Sequence, residues 1–346
     1  MSTERTEIEK LGEFGLIDRL TQNFETFNAS TVLSIGDDAA VIDHFGKQTV
    51  ITTDLLVEGV HFDLMYTPLK HLGYKSVVVN LSDIYAMNAQ PTQITMSLAF
   101  SNRFSLEALE EFYEGVAIAC DKYGVDLIGG DTSTSQKGLI ISVTALGEVA
   151  PDQYIKRSTA ESGDLICVSG DLGAAFLGLT LMEREKKIFL ENPQIQPNLE
   201  NEDYIVGRLL RPEARKDIIE LLEKLEIKPT SMMDISDGLS SDVLHLCKQS
   251  DLGCRIYEEK IPINEASKAA AFKFGLDATV CALNGGEDYE LLFTMKQADY
   301  DKMTIQEEIS VIGYMCDASE GKKLITKGNN LFDITAQGWN AFGKEA

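Results

Sequence analysis

Two periodicities share the first half of the chain. Between residues 69 and 88, Tyr74, Val77, Val78, Leu81 and Ile84 recur at the i, i+3, i+4 spacing of a helix with a buried face. Residues 105–123 repeat that spacing through Leu106, Leu109, Tyr113, Val116 and Cys120. A shorter amphipathic helix is expected over 11–21, with Phe14, Ile17 and Leu20 inward. Around these helices lie β-branched or alternating runs: Ala39–Ile42 after a tight glycine turn, Val50–Asp54, 92–100, 125–131 and 139–149. Strands, helix, strand, helix, strand, strand in that order predict an α+β sheet with its helices on one face.

The second half opens after a polar connection, 150–163, that contains Pro151, Arg157 and Gly163. This connection divides the chain into domains of 1–150 and 151–346, as its length favours. A strand is expected over 164–170, then a helix to about residue 186 and a loop over 191–202. Helices follow at 203–210 and 213–225, separated by Pro212. Residues 232–239 lead into a helix with Ser236 or Asp237 as N-cap. Residues 254–263 read as extended and 265–274 as helical. A glycine turn over 283–289 feeds a strand to Thr294, and further strands are expected near 309–314 and 323–335.

Composition narrows the function classes. The 346 residues are 44% hydrophobic, enough for sizeable cores, and carry a net charge of −24. That charge argues against nucleic acid as a partner, since no basic excess exists to neutralise phosphates. The six cysteines form no Cys-x-x-Cys pair, which fits free thiols in a reducing cytoplasm rather than a disulfide or zinc scaffold. No run of about 18 apolar residues is present, so no membrane span is expected.

The candidate chemistry is carboxylate. Asp37 and Asp38 stand at the mouth of one strand and Asp54 near the end of the next, where a hairpin would bring them together. Gly-Asp-Asp is also good turn chemistry, but Asp83, Asp131, Asp234 and Asp237 recur beside glycine, serine or apolar runs. Clustered carboxylates need protons or cations, and hard oxygen ligands suit Mg2+. Ser76, Asn80 and Asp83 form a polar stripe on an otherwise apolar helix, which calls for a partner. Gly129-Gly130 permits close backbone approach to a ligand beside Asp131. The chain lacks a P-loop, a Rossmann glycine fingerprint and a Gly-x-Ser-x-Gly elbow. His61, one of four histidines, is near the acidic stretch, and one histidine does not make a zinc site.

As an ordered set these motifs resemble the thiamine-monophosphate kinase family. The resemblance runs through Gly12-Glu13-Phe14, Gly36-Asp37-Asp38, Thr53-Asp54, Gly59-Val60-His61-Phe62 and Asn80-Leu81-Ser82-Asp83. It continues through Gly129-Gly130-Asp131-Thr132, Arg157, Asp234-Ile235-Ser236-Asp237-Gly238-Leu239 and Gly285-Gly286-Glu287-Asp288-Tyr289-Glu290-Leu291. It implies a two-domain aminoimidazole ribonucleotide synthetase-like fold: an N-terminal sheet that pairs with a second copy in a homodimer, and a C-terminal α/β domain. It also implies phosphorylation of thiamine monophosphate by ATP, assisted by several Mg2+ ions. By resemblance, the metal ligands are Asp38, Thr52, Thr53, Asp54, Asp83, Asp131, Asp234 and Asp237. Tyr113, Gly130, Asp131, Arg157 and Ser236 would contact ATP, and His61, Glu287 and Trp339 the thiamine phosphate. A plain packing role stands beside the substrate role for Trp339, the only tryptophan. A selenophosphate synthetase, the neighbouring possibility, has a reactive residue near its N-terminus, whereas the first cysteine here is Cys120. A metal-dependent binding protein without turnover is the alternative of a different class.

Overall fold

The structure, a computed structural model, describes residues 31–33, 37–38, 40–44, 46–101, 104–303 and 306–337. The expected helix over 11–21, Gly36 of the glycine turn, and Trp339 lie outside these residues.

The N-terminal half runs β1 (Thr31–Leu33), β2 (Ala40–His44), β3 (Lys47–Val57), α1 (Leu69–Ala86), β4 (Gln90–Phe100), α2 (Leu106–Tyr123), β5 (Asp126–Thr134) and β6 (Ile140–Val149). Its six-stranded sheet has the order β1-β2-β3-β6-β4-β5, with only the β4–β5 pair parallel. Alternation on β6 turns Ile141, Val143 and Ala145 to one face, where they join Ile94, Met96 and Leu98 of β4. Both helices cover that face in a single core, through Val77, Val78, Leu81 and Ile84 of α1 and Phe112, Val116 and Ala119 of α2. The helices cross where a Cβ on Gly73 would lie 1.9 Å from the Phe112 carbonyl oxygen, and one on Gly115 1.9 Å from that of Lys70. Only glycine permits that approach.

This crossing explains one difference from expectation. The buried stripe of α2 is Phe112, Val116, Ala119 and Tyr123, so Tyr113 lies on its flank and is 38% exposed. A second difference concerns β5, expected as an apolar strand that stops at Asp131. Gly129, Gly130 and Asp131 are inside it, and every residue of this edge strand is exposed, Ile128 among them at 59%.

The C-terminal half runs β7 (Leu165–Ser169), α3 (Ala174–Glu191), α4 (Asp203–Leu210), α5 (Lys216–Lys224), β8 (Ser231–Ile235), α6 (Leu239–Gln249), β9 (Leu252–Tyr257), α7 (Glu265–Phe274), α8 (Ala278–Asn284), β10 (Glu290–Met295), then β11 (Ile309–Asp317), β12 (Lys322–Ile325) and β13 (Leu331–Asp333), with short turns between. Seven strands form one sheet in the order β13-β12-β9-β11-β7-β10-β8. Ile166, Val168, Met233 and Ile235 pack with Leu239, Val243 and Leu246 of α6 on one face. Cys167, Met232, Leu291 and Phe293 pack with Ile218 and Leu222 of α5 on the other. Burial on both faces accounts for the unbroken apolar runs of β8 and β10.

Several boundaries move. α3 continues to Glu191, and the loop after it folds back, with the Asn198 N–H donating to Glu185 Oε2 at 2.9 Å. The helix expected from 213 begins at Lys216. α8, capped by Asp277, occupies the positions where a glycine turn was expected to begin. The expected strand over 323–335 is two strands joined by a turn in which the Thr326 N–H donates to the Asn330 carbonyl. Among the described residues no helix is long and apolar enough to cross a membrane.

The halves meet along α1. Glu213 Oε2 accepts from Tyr74 Oη at 2.5 Å, Lys122 Nζ at 2.6 Å and Tyr123 Oη at 2.7 Å, which ties the start of the α5 region to both N-terminal helices.

Candidate active site

Strand β3 carries Thr52, Thr53 and Asp54 in succession, so the period of two sends Thr53 one way and its neighbours the other. Thr52 and Asp54 turn toward α1. There the expected polar stripe finds its partner in β3 rather than in solvent. Asn80 Oδ1 accepts the Asp54 N–H at 3.0 Å while Asn80 Nδ2 donates to the Ser76 carbonyl, and Thr52 Oγ1 donates to Asp83 Oδ2 at 2.6 Å. One step round the helix, Ser82 Oγ donates to Asp234 Oδ2 at 2.7 Å, at the end of β8. Asp38, at the head of β2, completes the group. The carboxylates of Asp38, Asp83 and Asp234, from three distant parts of the sequence, offer oxygens within 4.8 Å of one another.

Arg157 is held against this group from the interdomain connection. Its N–H donates to both Asp37 oxygens at 3.2 Å, its Nε lies 3.6 Å from Asp37 Oδ1, and its guanidinium pairs with Asp38. The hydroxyls of Ser231 and Ser250 each donate to its carbonyl at 2.9 Å.

One arginine does not balance so many acids. Burial first, then the charges of Asp54 and Asp234, pushes the Asp83 carboxyl well above the usual carboxylate range. Burial also raises Asp234. Asp54 is pushed up to about 6 by burial and by Asp234 and Glu287. Asp37 rises to about 6 because burial outweighs Arg157. Asp38 Oδ2 is buried with no hydrogen-bond partner among the described residues. An all-oxygen set of mutually repelling, desolvated carboxylates with an unpaired oxygen fits a hard divalent cation such as Mg2+.

Beside this group opens a cleft of about 540 Å³, lined by Asp54, His61, Asp83, Asp234, Ser236, Asp237 and Glu287. The size suits a small-molecule ligand. His61 Nδ1 accepts the Val57 N–H at 3.0 Å, so the neutral ring carries its proton on Nε2. Ser236 and Asp237 are not the expected N-cap. Gly238 caps α6, and the two side chains are left to face the cleft. Glu287 enters from a loop with φ of 61° at Glu287 and 52° at Tyr289, a left-handed conformation unusual for either residue type. That loop is fastened from below. Asp288 accepts the Gly173 N–H at 2.9 Å, Arg208 Nη2 donates to the Asp288 carbonyl at 3.2 Å, and Glu290 pairs with both Arg208 and Arg215.

The remaining expected residues lie elsewhere. Tyr113, Gly130 and Asp131 line a shallow pocket at the β5 edge. A Cβ on Gly130 would stand 1.7 Å from the Met96 carbonyl oxygen, so that glycine serves strand packing. Asp131 pairs in register with Ser97, on the face away from the helices. Thr53 shares that face, donating to the Val143 carbonyl at 3.0 Å and accepting from Thr144 at 3.1 Å. Strands β6 and β4 separate β3 from β5, which is three spacings or about 14 Å. Within one chain, six expected ligands therefore share the cleft and its rim, Asp38, Thr52, Asp54, Asp83, Asp234 and Asp237, while Thr53 and Asp131 do not.

Three features escaped the sequence reading. Lys75, 4% exposed, reaches Glu287 from α1; a single lysine among Tyr74, Val77, Val78 and Val79 was its signal. Asp242, in the first turn of α6, is 1% exposed with one oxygen unpaired, and burial followed by Asp237 and Asp234 raises it well above the usual range. The Arg208–Glu290–Arg215 group joins residues 75 to 82 positions apart, beyond any local pattern.

Residues 36–149 match the family model described as AIR synthase related protein, N-terminal domain, and residues 161–322 the corresponding C-terminal domain. The thiamine-monophosphate kinase of Aquifex aeolicus (strain VF5) is 34% identical over 335 residues, 97% of this chain and 99% of that protein. That of Bacillus subtilis (strain 168) is 32% identical over 339 residues, 96% and 100% of the two chains. A solved structure described as AaThiL complexed with AMPPCP and TMP superposes with a TM-score of 0.83 at 32% identity, covering 99% of this chain and 100% of that one. With its two AIR synthase-related domains and its near full-length likeness to these phosphotransferases, the chain belongs to the thiamine-monophosphate kinase family.

Proposed function

We propose that this protein transfers the terminal phosphoryl group of ATP to thiamine monophosphate, giving ADP and thiamine diphosphate, the last step in making that cofactor. The observation that carries the reading is the convergence of Asp38, Asp83 and Asp234 from both halves at the rim of a ligand-sized cleft. The relative's structure in complex with AMPPCP and TMP supports the same substrate pair.

Donor and acceptor are both anionic, so their repulsion is the chief obstacle to an in-line approach. Asp38, Asp83 and Asp234 would hold Mg2+ with Thr52, Asp54 and Asp237 beside them, and the ions would offset the phosphate charge. The acceptor supplies its own anionic oxygen. No side chain need act as a strong base, and no phosphoenzyme is required. On this reading Arg157 and Ser236 serve the ATP phosphates, and the Nε2 proton of His61 and the carboxylate of Glu287 serve thiamine monophosphate. Residues 1–150 carry most of the ATP and metal contacts, and 151–346 complete the site. Thr53, Tyr113, Gly130 and Asp131 would join it through a homodimer in which the open face and the exposed β5 edge meet a second copy. Leu55, Leu127 and Ile128, large and exposed there, support that arrangement. The free cysteines, five of six buried, support a cytoplasmic setting.

The test is incubation with Mg-ATP and thiamine, thiamine monophosphate or aminoimidazole-pathway substrates, with products identified by mass. Only thiamine monophosphate should turn over efficiently, and γ-labelled ATP should leave no stoichiometric label on the protein. Comparable turnover of free thiamine, or a stable phospho-aspartate, would overturn the reading.

A further inference from the structure

Helix α1 presents two polar stripes. Asn80 and Asp83 address β3. Lys75, Val79 and Ser82, at i, i+4 and i+7, address the C-terminal half, Val79 at the cleft wall and Ser82 on Asp234. Lys75 begins this second stripe. Its Nζ donates to the Leu209 carbonyl at 3.2 Å and to Glu287 Oε2, and its side chain is 5% exposed. The lysine is absent from the cleft lining, so it is not placed to hold a phosphate directly. The other Glu287 oxygen, Oε1, accepts from Tyr289 Oη at 3.1 Å, while the Glu287 N–H donates to the Ser236 carbonyl at 2.7 Å. Both carboxylate oxygens and the backbone of Glu287 are thus gripped, on a residue whose left-handed conformation would otherwise relax.

We propose that Lys75, seconded by Tyr289, is a positioning residue that fixes Glu287 as an oriented carboxylate for the cationic ring system of the acceptor. This rests on the assignment of Glu287 to the acceptor side of the cleft. The physical need is local. Asp54 is close enough to Glu287 for the two carboxylates to repel each other, and a buried ammonium counters that push while leaving the cleft-facing side open. Arg208 holds the same loop from beneath at the Asp288 carbonyl, and the Asp288 carboxylate anchors it to the Gly173 N–H, so these bonds fix the loop and not the Glu287 carboxylate.

The experiment compares Lys75→Met, Tyr289→Phe and Glu287→Gln for equilibrium binding of thiamine monophosphate and of ATP in the presence of Mg2+, with kcat and thermal unfolding alongside. Lys75→Met should weaken thiamine monophosphate binding about 10-fold or more, and Tyr289→Phe about 3-fold, as expected for hydrogen bonds to a charged group. ATP binding should change less than about 2-fold, since a uniform fall would report general loosening. In a Glu287→Gln background Lys75→Met should add little, because the two act as one unit. Equal loss of ATP and acceptor binding, or an undiminished Lys75→Met effect in the Glu287→Gln background, would overturn the proposal. If Lys75→Met does not fold, Tyr289→Phe with unchanged acceptor binding overturns it equally. Failure of the unaltered protein to bind thiamine monophosphate at all would instead sink the functional reading beneath it.

Discussion

The two faces of strand β3 make different kinds of site. On the inner face Thr52 and Asp54 meet α1 and the end of β8, and folding of one chain brings Asp38, Asp83 and Asp234 within 4.8 Å. On the outer face Thr53 bonds to Thr144 and the Val143 carbonyl, with Asp131 about 14 Å away across the sheet. The inner group is desolvated, with carboxyls that burial pushes upward. The outer one is exposed along the whole of β5. A carboxylate buried among like charges is poised for a cation, whereas an exposed one on an open sheet is poised for whatever covers the sheet. On the proposed function, one half of the machinery would be complete on folding and the other would wait on association.

The largest effect should come from breaking the inner group. Asp83→Asn removes the charge and keeps the shape. Turnover at ordinary Mg2+ should fall on the order of 10²-fold or more. Metal-free stability should be unchanged or higher. Burial already favours the protonated acid at Asp83, which asparagine mimics. The same metal-free protein should lose stability as pH rises from about 4 to about 6. Asp54 has a folded pKa of about 6 against an ordinary 3.8, so the folded form holds the extra proton in that window and its advantage is lost above it. Added Mg2+ should restore stability on the alkaline side. Turnover against Mg2+ concentration and thermal unfolding against pH are the measurements. Near-normal turnover in Asp83→Asn would remove Asp83 from the site, and a large drop in metal-free Tm would make it a structural acceptor.

Next in size is the outer face. Ile128→Asp puts a charge on the most exposed apolar position of the edge strand. If a second copy seats there, its dissociation constant should rise about 30-fold or more, as for a hot-spot residue. Sedimentation would read this, and calorimetry should find Mg2+ binding at the inner group retained. Unchanged self-association would mean that the open face serves something other than a second copy.

Much of this was legible in the sequence because it is local. The 3.6-residue period of α1, the alternation of β6 and the aspartates beside glycine and serine fix element types and candidate ligands within a few residues. The α1 stripe correctly called for a buried partner, but which partner depended on β3, 26 residues from Asp54 to Asn80. Tyr113 was assigned to the apolar side because helical spacing alone cannot tell that a Gly73–Gly115 crossing rotates α2 onto α1. Ser236 and Asp237 are good N-cap types, yet Gly238 takes that place because a Cβ there would lie 3.0 Å from backbone atoms of Leu283 and Asn284. Lys75 and Asp242 follow no local period: Lys75 is buried where α1 meets Leu209 and Glu287 of the other half, and Asp242 is buried beside Asp234 and Asp237, which precede it in its own half.

The smallest and sharpest test compares adjacent residues on the two faces. Thr52→Val and Thr53→Val make the same change on one strand, keeping the β-branched shape that suits it. Thr52 is 8% exposed and its hydroxyl donates to Asp83 at 2.6 Å and lies 3.4 Å from the Asp38 carbonyl oxygen. Valine there should cost about 1–2 kcal/mol, because a buried acceptor loses its donor. It should also weaken Mg2+ binding several-fold, since Asp83 would no longer be held in place. Thr53 sits on the open face, where water can replace its bonds to Val143 and Thr144. Its valine variant should cost about 0.5 kcal/mol or less, and leave Mg2+ affinity at the inner group unchanged. Thermal unfolding and calorimetric titration of both variants without substrates read this directly. The outcome that breaks the comparison is Thr53→Val lowering Mg2+ affinity as much as Thr52→Val. The outer hydroxyl would then act on the same ion as the inner one, and the two faces of β3 would serve a single site within one chain.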